Sequence, residues 1–290
     1  MDELAAVDGS WRLVTELPDR RLRPGVRSYR GFALDLRGVQ QRLELPHGTV
    51  SLVVNFDAPV WLTQAVGRPS YSAYQSLMEG PRTTATIGRH NGSMRGVEVI
   101  MTPWAAYRVL GMPMSDLREL VVPVPDVLGA DGRELEERLA CAESWGARFA
   151  VLDAFLLRRA AARAEPAPQV VSAWHALRRS GGAVSLAGVA DRIGWSERHL
   201  CTRFREQIGL PPKKIARVFR LSRALDLVAE RESGSTIAAD CGFFDQAHFN
   251  REFRAMVGRS PSEFAGHLLH PSSARPVGRL PGRVTSALLG

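Results

Sequence analysis

The chain has 290 residues, 45% of them apolar, so it is long enough for two ordinary domains with real cores, and wholesale disorder is excluded. Its formal net charge is +8 and unevenly placed: residues 1–165 carry 20 basic and 20 acidic side chains, residues 166–290 carry 18 basic and 10 acidic. Such asymmetry points to a module for a polyanion joined to a neutral one.

The first hundred residues predict strands. VRSYRGFALDL, TVSLVVNF, APVWLT, TTATIG and MRGVEVIMT are short, rich in β-branched or aromatic residues, and bounded by Pro, Gly or Asn turns. Several such strands at close spacing predict an antiparallel barrel or sandwich. Phe32, Phe56, Trp61 and Trp104 are candidates to line a pocket there, although core packing is the commoner use of such residues. From Pro103 the pattern turns helical. WAAYRVLG and SDLREL predict short helices, and 131–144 and 145–163 longer ones, with Leu135, Leu139, Phe149, Leu152 and Leu156 at helical spacing. The apolar face of that pair is a candidate dimer surface. Two prolines in AARAEPAPQ stop the helix and mark a linker. Helical patterning then continues to about Leu269, and the Pro-, Gly-, Ser- and Arg-rich end reads as a tail. The predicted organisation is an N-terminal sensor or dimerisation domain at 1–165, a helical domain at 166–268 and a flexible tail at 269–290.

The helical domain contains a degenerate repeat. One copy is Ala190-x3-Gly194 followed by Phe204-Arg205-x3-Gly209-x2-Pro212; the other is Ala238-x3-Gly242 followed by Phe253-Arg254-x3-Gly258-x2-Pro261. The offset is 48 residues at the first glycine and 49 afterwards, so the second copy has one more residue in its turn. Ala190 and Ala238 are small enough for two helices to cross closely. The glycines suit a turn position with positive φ, and Ser196 and Asp245 are good N-caps. Leu200, Phe204 and Ile208, and likewise Phe249, Phe253 and Val257, fall on one face of the following helix. Helix, tight turn, helix in two copies is a double helix-turn-helix. Between the copies, Ile215, Val218, Leu221, Leu225 and Val228 form one apolar stripe of a connecting helix. At 1.5 Å per residue it spans roughly 27 Å, enough to hold two recognition helices about one DNA turn apart.

TIAADCGFFDQAHFNREFRAMVGRSPSEF resembles the signature of AraC/XylS-type transcriptional regulators, and SLAGVADRIGWSERHLCTRFREQIGLPPKKIARVFR resembles that family's first helix-turn-helix. The resemblance covers about residues 170–268. It departs at Gly234, where family members usually carry an apolar residue. It implies a fold of α+β multidomain type: a mainly-β, barrel-like (cupin-like) N-terminal domain with helices after it, then an all-α double helix-turn-helix. It also implies double-stranded promoter or operator DNA as partner, with a small-molecule effector, a homodimer and RNA polymerase as further candidates.

With Leu200 and Phe204 inward, Arg198, Thr202 and Arg205 point outward, as do Ala247, Arg251 and Arg254 in the second copy. The resemblance adds Cys201, Gln246 and Asn250. Arg pairs with a guanine edge, Asn and Gln with adenine, and Thr or Ala touches a thymine methyl. Arg198, Cys201, Thr202, Gln246, Ala247, Asn250 and Arg251 are therefore candidate base contacts. Ser196, Lys213, Lys214 and Arg254 are candidate phosphate contacts, which position without specifying. His199 and His248 lie beside the core face, where packing or a backbone hydrogen bond is expected.

Other classes find less support. His47 and His90 are far apart, and His267 with His270 lacks a third partner, so no metal site and no cofactor is expected. No P-loop or GxSxG elbow occurs. Cys141, Cys201 and Cys241 are three and widely spaced, neither a disulfide framework nor a zinc set. A cupin-type metal enzyme and a DNA-repair alkyl transferase stay as enzyme alternatives, and a ligand-independent dimeric regulator as the third. No run of 18 apolar residues occurs, and MDELAAVDGS is acidic where a secretory signal needs basic residues, so a cytoplasmic protein without membrane contact is expected.

Overall fold

The computed structural model describes residues 2–6, 9–268, 279–280, 283–284 and 286–289. The N-terminal half is built from β1 (Asp2–Ala6), β2 (Gly9–Glu16), β3 (Val26–Leu36), β4 (Gln40–Glu44), β5 (Val50–Asn55), β6 (Val60–Gln64), β7 (Ser72–Tyr74), β8 (Ser76–Glu79), β9 (Thr86–His90), β10 (Ser93–Met101) and β11 (Val121–Val122). Seven of them pair antiparallel in the order β1-β2-β3-β10-β5-β8-β11, and a second sheet contains β4-β9-β6-β7. The predicted barrel-like domain thus takes the form of two open sheets rather than one closed sheet.

Period-two alternation assigns each strand two different neighbours. In β5, Val50, Leu52 and Val54 join an apolar core, whereas Ser51, Val53 and Asn55 line a cavity on the opposite face. In β10, Val97, Val99 and Met101 take the core side while Glu98 and Ile100 take the cavity side. β4 alternates likewise, with Arg42 and Glu44 at the cavity and Leu43 and Leu45 on the far side.

The core behind the large sheet is closed by α1 (Pro103–Leu110), α2 (Val124–Leu128), α3 (Ala130–Cys141) and α4 (Trp145–Ala161). SDLREL contributes a single 3-10 turn, Met114–Leu117, instead of a helix. Leu135, Leu139, Phe149, Leu152 and Leu156 are all buried in this core. The apolar face predicted to dimerise is therefore covered within the chain. The Tyr29 hydroxyl on β3 donates to Asp153 of α4 at 2.7 Å, which fixes the helix on the sheet.

The remaining helices are α5 (Pro168–Arg179), α6 (Leu186–Ile193), α7 (Glu197–Ile208), α8 (Pro212–Ala229), α9 (Gly234–Asp240), α10 (Gln246–Val257) and α11 (Pro261–Leu268). They surround two cores. Leu200, Phe204 and Ile208 of α7 meet Trp174 and Val189 in one; Phe249, Phe253 and Val257 of α10 meet Ile237 and Phe264 in the other. α8 supplies Ile215 and Phe219 to the first and Val218, Leu221, Leu225 and Val228 to the second.

The two halves are in direct contact. The second helical core also holds Leu43, Leu45 and Ala85, and the Ala85 N–H donates to the Met256 carbonyl at 2.7 Å. Lys214 lies 3.7 Å from Glu119, and the Tyr107 hydroxyl donates to Glu206 at 3.2 Å. The small sheet therefore has the cavity on one side and the second helical core on the other.

Within the predicted tail, β12 (Arg279–Leu280) and β13 (Arg283–Val284) pair antiparallel, and β14 (Ser286–Leu289) pairs with β4 at the edge of the small sheet. Ala287 and Leu289 are buried in the second helical core, which gives these residues a reason to be ordered that composition does not show. The rest of the tail lies outside the described residues, as does His270.

Candidate nucleic-acid interface and the cavity behind it

Both helix-turn-helix units follow from their caps. The Ser185 hydroxyl accepts from the Gly188 N–H to start α6, and Ser196 accepts from His199 to start α7 at 3.2 Å. In the second unit, Ser233 accepts from Thr236 and Asp245 from His248, the latter at 2.6 Å. Gly194 and Gly242 take φ of 72° and 71° in the two turns, a region that favours glycine. The added residue in the second turn is absorbed by Phe243 and Phe244: Phe243 packs on the core and Phe244 is 92% exposed.

The outward face of α7 presents Arg198, Thr202 and Arg205, all exposed, with Cys201 half-buried beside them. The Thr202 hydroxyl donates to the Arg198 carbonyl at 3.0 Å. On α10, Gln246, Ala247, Asn250, Arg251 and Arg254 are exposed. A groove of about 680 Å3 runs past Gln246, Asn250, Arg251 and Arg254 and on to Ser260 and Ser262. The base-contact candidates of each unit thus share one face, and Gln246, Asn250 and Arg251 of α10 open onto one groove. Ser196 and Lys213 are exposed, whereas Lys214 is partly buried beside Glu119. Arg254 lies 4.0 Å from Glu263, at the outer limit of an ion pair. His199 packs edge-on against Trp195, and the His248 Nδ1 accepts from the Phe244 N–H at 3.2 Å; both rings serve the turns.

Residues 189–267 match the helix-turn-helix domain family. An HTH-type transcriptional activator, RhaS of Escherichia fergusonii, is 38% identical over 82 residues, 28% of this chain and 30% of that protein. The C-terminal region is a helix-turn-helix domain. An uncharacterized HTH-type transcriptional regulator of Staphylococcus aureus is 32% identical over 84 residues, 29% of this chain and 11% of that protein. The chain thus spans less than a third of the length of either relative. Among solved structures, an AraC-type regulator from Chromobacterium violaceum is 26% identical over 36% of this chain and 95% of its own, with a TM-score of 0.34. ToxT of Vibrio cholerae is 10% identical over 90% of this chain and 98% of its own, with a TM-score of 0.44.

At the one departure from the resemblance, Gly234 opens α9 beneath the side chain of Gln246. A Cβ there would stand 2.7 Å from the Gln246 Nε2. The glycine therefore makes room for Gln246, the first residue of α10. A feature that the repeat did not signal follows α10. The Ser260 hydroxyl accepts from the Glu263 N–H while the Glu263 carboxylate accepts from the Ser260 N–H at 2.6 Å, a capping box that starts α11. These Ser260 bonds hold the Glu263 carboxyl below its usual range.

Behind the helix-turn-helix region, the cavity between the two sheets measures about 150 Å3. His47 and His90, set apart in the sequence, both reach it, and so does Phe32. Phe56 packs on the large-sheet core instead, Trp104 sits between cores, and Trp61 is 36% exposed. Among the described residues, no group of three His, Cys, Asp or Glu is placed to hold a metal. Burial holds the His90 imidazole down to about 4, with Arg42 adding to the effect, and its Nδ1 accepts from the Gly92 N–H at 3.2 Å. Burial also pushes the Glu79 carboxyl up, against the pull of Arg82 beside it.

Proposed function

We propose that the chain is a sequence-specific DNA-binding transcriptional regulator. In this reading α7 and α10 enter successive major grooves of double-stranded promoter or operator DNA. Arg198, Cys201, Thr202, Gln246, Ala247, Asn250 and Arg251 read bases, and Ser196, Lys213, Lys214 and Arg254 hold phosphates. The observation that carries it is the pair of capped helices, each burying its apolar face in a core while its polar face stands free. The protein acts by binding rather than catalysis; the relatives reported above are transcriptional regulators, and the nucleophile and metal patterns of the enzyme alternatives are missing from the sequence. The domain division at 165 and 268, a cytoplasmic location, a homodimer and contact with RNA polymerase belong to the same reading, although the α3–α4 face does not motivate the dimer. The cavity between the sheets favours an effector over ligand-independent action.

The test uses the full chain to select duplexes from a random pool, followed by isotherms on selected and scrambled DNA at several salt concentrations. Arg251→Ala should cost roughly 1–3 kcal/mol on the selected duplex and relax preference at one base pair. Lys213→Ala should weaken both duplexes alike and lower the salt slope by about one. Selection of no sequence refutes the function. An equal loss on both duplexes for Arg251→Ala refutes only the assignment of α10 to base reading.

A further inference from the structure

The turns of the two helix-turn-helix units differ by one residue, and that residue is an aromatic ring left in water. In the first unit Gly194 is followed by Trp195 and then by the cap Ser196, and the Trp195 ring stands edge-on to His199 with 4.5 Å between centroids. In the second unit Phe243 takes the place of Trp195. It stands edge-on to His248 at 5.6 Å and meets Phe249 at 5.3 Å. Phe244 is then inserted between Phe243 and the cap Asp245, and it has no counterpart in the first unit.

An apolar residue just before a helix cap often packs on the fourth residue of the helix. For α10 that residue is Phe249, and Phe243 already covers it. The backbone at Phe244 is also held in place. Its own N–H donates to the His248 Nδ1 at 3.2 Å, and the neighbouring Asp245 carboxylate accepts from the His248 N–H at 2.6 Å. The ring is therefore fixed outward and 92% exposed, whereas Leu17 is 60% exposed and Val39 54%.

The position of the ring says what covers it. Phe244, Asp245, Gln246 and Ala247 are exposed in succession, and Asn250 and Arg251 follow one turn later. Residues at the start of a recognition helix are the ones that reach base edges in the major groove. Gln246, Asn250 and Arg251 bring hydrogen-bonding groups to such an edge, and a phenyl ring brings none. The apolar group displayed in that groove is the C5 methyl of thymine. Phosphate oxygens, the other surface within reach, form hydrogen bonds that a phenyl ring does not return.

We infer that Phe244 is a specificity residue of the second unit, packing against a thymine methyl beside the bases met by Gln246, Asn250 and Arg251. This rests on the regulator reading given above, and the first unit, without the inserted residue, has no such contact.

The experiment lets the full chain select duplexes from a random pool and then replaces each thymine of the selected duplex in turn by deoxyuridine, which removes the methyl and keeps every hydrogen-bonding group. At one or more positions the parent chain should lose about fourfold in affinity, the contribution of one buried methyl group. Phe244→Ala should bind the selected duplex roughly tenfold more weakly, bind scrambled DNA as the parent does, and be indifferent to deoxyuridine at one of those positions. Phe244→Leu keeps an apolar side chain and should recover part of the affinity and of the methyl dependence. The Tm of Phe244→Ala should equal that of the parent; a lower Tm would make the ring part of the fold and overturn the assignment. Undiminished affinity in Phe244→Ala would give the ring to another partner, such as a protein. An equal loss on selected and scrambled duplexes would make it a backbone contact, and a methyl dependence unchanged in Phe244→Ala, or absent from the parent, would leave no thymine for it to read. Each of these overturns the assignment while the regulator reading stands. A parent chain that selects no sequence removes the regulator reading and this contact together.

Discussion

Gly258 ends α10 with φ of 79°, and a Cβ placed on it would lie 2.5 Å from the Ala65 carbonyl oxygen, on the chain just after β6. Gly194, in the turn of the first unit, has a similar φ of 72° and nothing within 4 Å of the same position. Alanine at either site incurs the left-handed penalty of about 1–2 kcal/mol. Only Gly258→Ala also drives a methyl into backbone of the other half, for which overpacking adds roughly 1–3 kcal/mol. Gly258→Ala is therefore expected to lower stability more than Gly194→Ala by about that increment. Urea unfolding of the full-length variants, compared at equal m, measures the difference. Equal losses would show that α10 does not rest against Ala65 in solution, and the contact between the halves would have to be abandoned.

His90, held at about 4 when folded, returns to its ordinary 6.5 when unfolded. Because the unfolded chain then binds the proton first, the stability it contributes is complete above pH 6.5 and is lost as pH falls towards 4, by roughly 3 kcal/mol. His90→Asn retains an acceptor for the Gly92 N–H and should flatten that limb of the stability–pH curve; an unchanged limb would assign it to other groups. Asp245→Ala removes the cap of α10 and should cost about 1 kcal/mol in thermal unfolding, while a neutral result would mean that His248 has found another partner. Cys141 is exposed whereas Cys241 is buried with its thiol pushed up by desolvation, so a maleimide should label Cys141 in the folded chain and Cys241 only after denaturation; mass spectrometry of digested peptides reads the order.

The recognition units were legible because each requirement is local. A cap, a positive φ and an i, i+4, i+8 stripe all fall within twenty residues, and the repeat states them twice. Strands β3, β5, β6, β9 and β10 were legible from β-branched and aromatic runs. β2, β4 and β8 were not. In QQRLE and SLME the polar side chains break the apolar run, since one face of each strand places charged residues, Arg42 and Glu44 or Glu79, in the cavity wall. The same cause hid Asn55. An Asn at the end of VSLVVN reads as a turn residue, and only the pairing of β5 with β8 and β10 places it in the cavity wall. β14 was hidden for a different reason: four residues carry too little pattern to reveal a partner more than two hundred positions away.

β4 makes the cavity and the second helix-turn-helix unit neighbours through a single strand. Arg42 and Glu44 face the cavity while Leu43 and Leu45, fully buried, lie in the core shared with Phe249, Phe253 and Val257. Arg42 also donates to the Ser286 hydroxyl of β14, whose Ala287 and Leu289 enter that same core. A strand is stiff along its length, and close-packed side chains do not yield independently of it. A ligand that displaced β4 itself would therefore displace residues that support α10. Alternate positions of one five-residue strand touch both sites with no relay of intermediate residues between them.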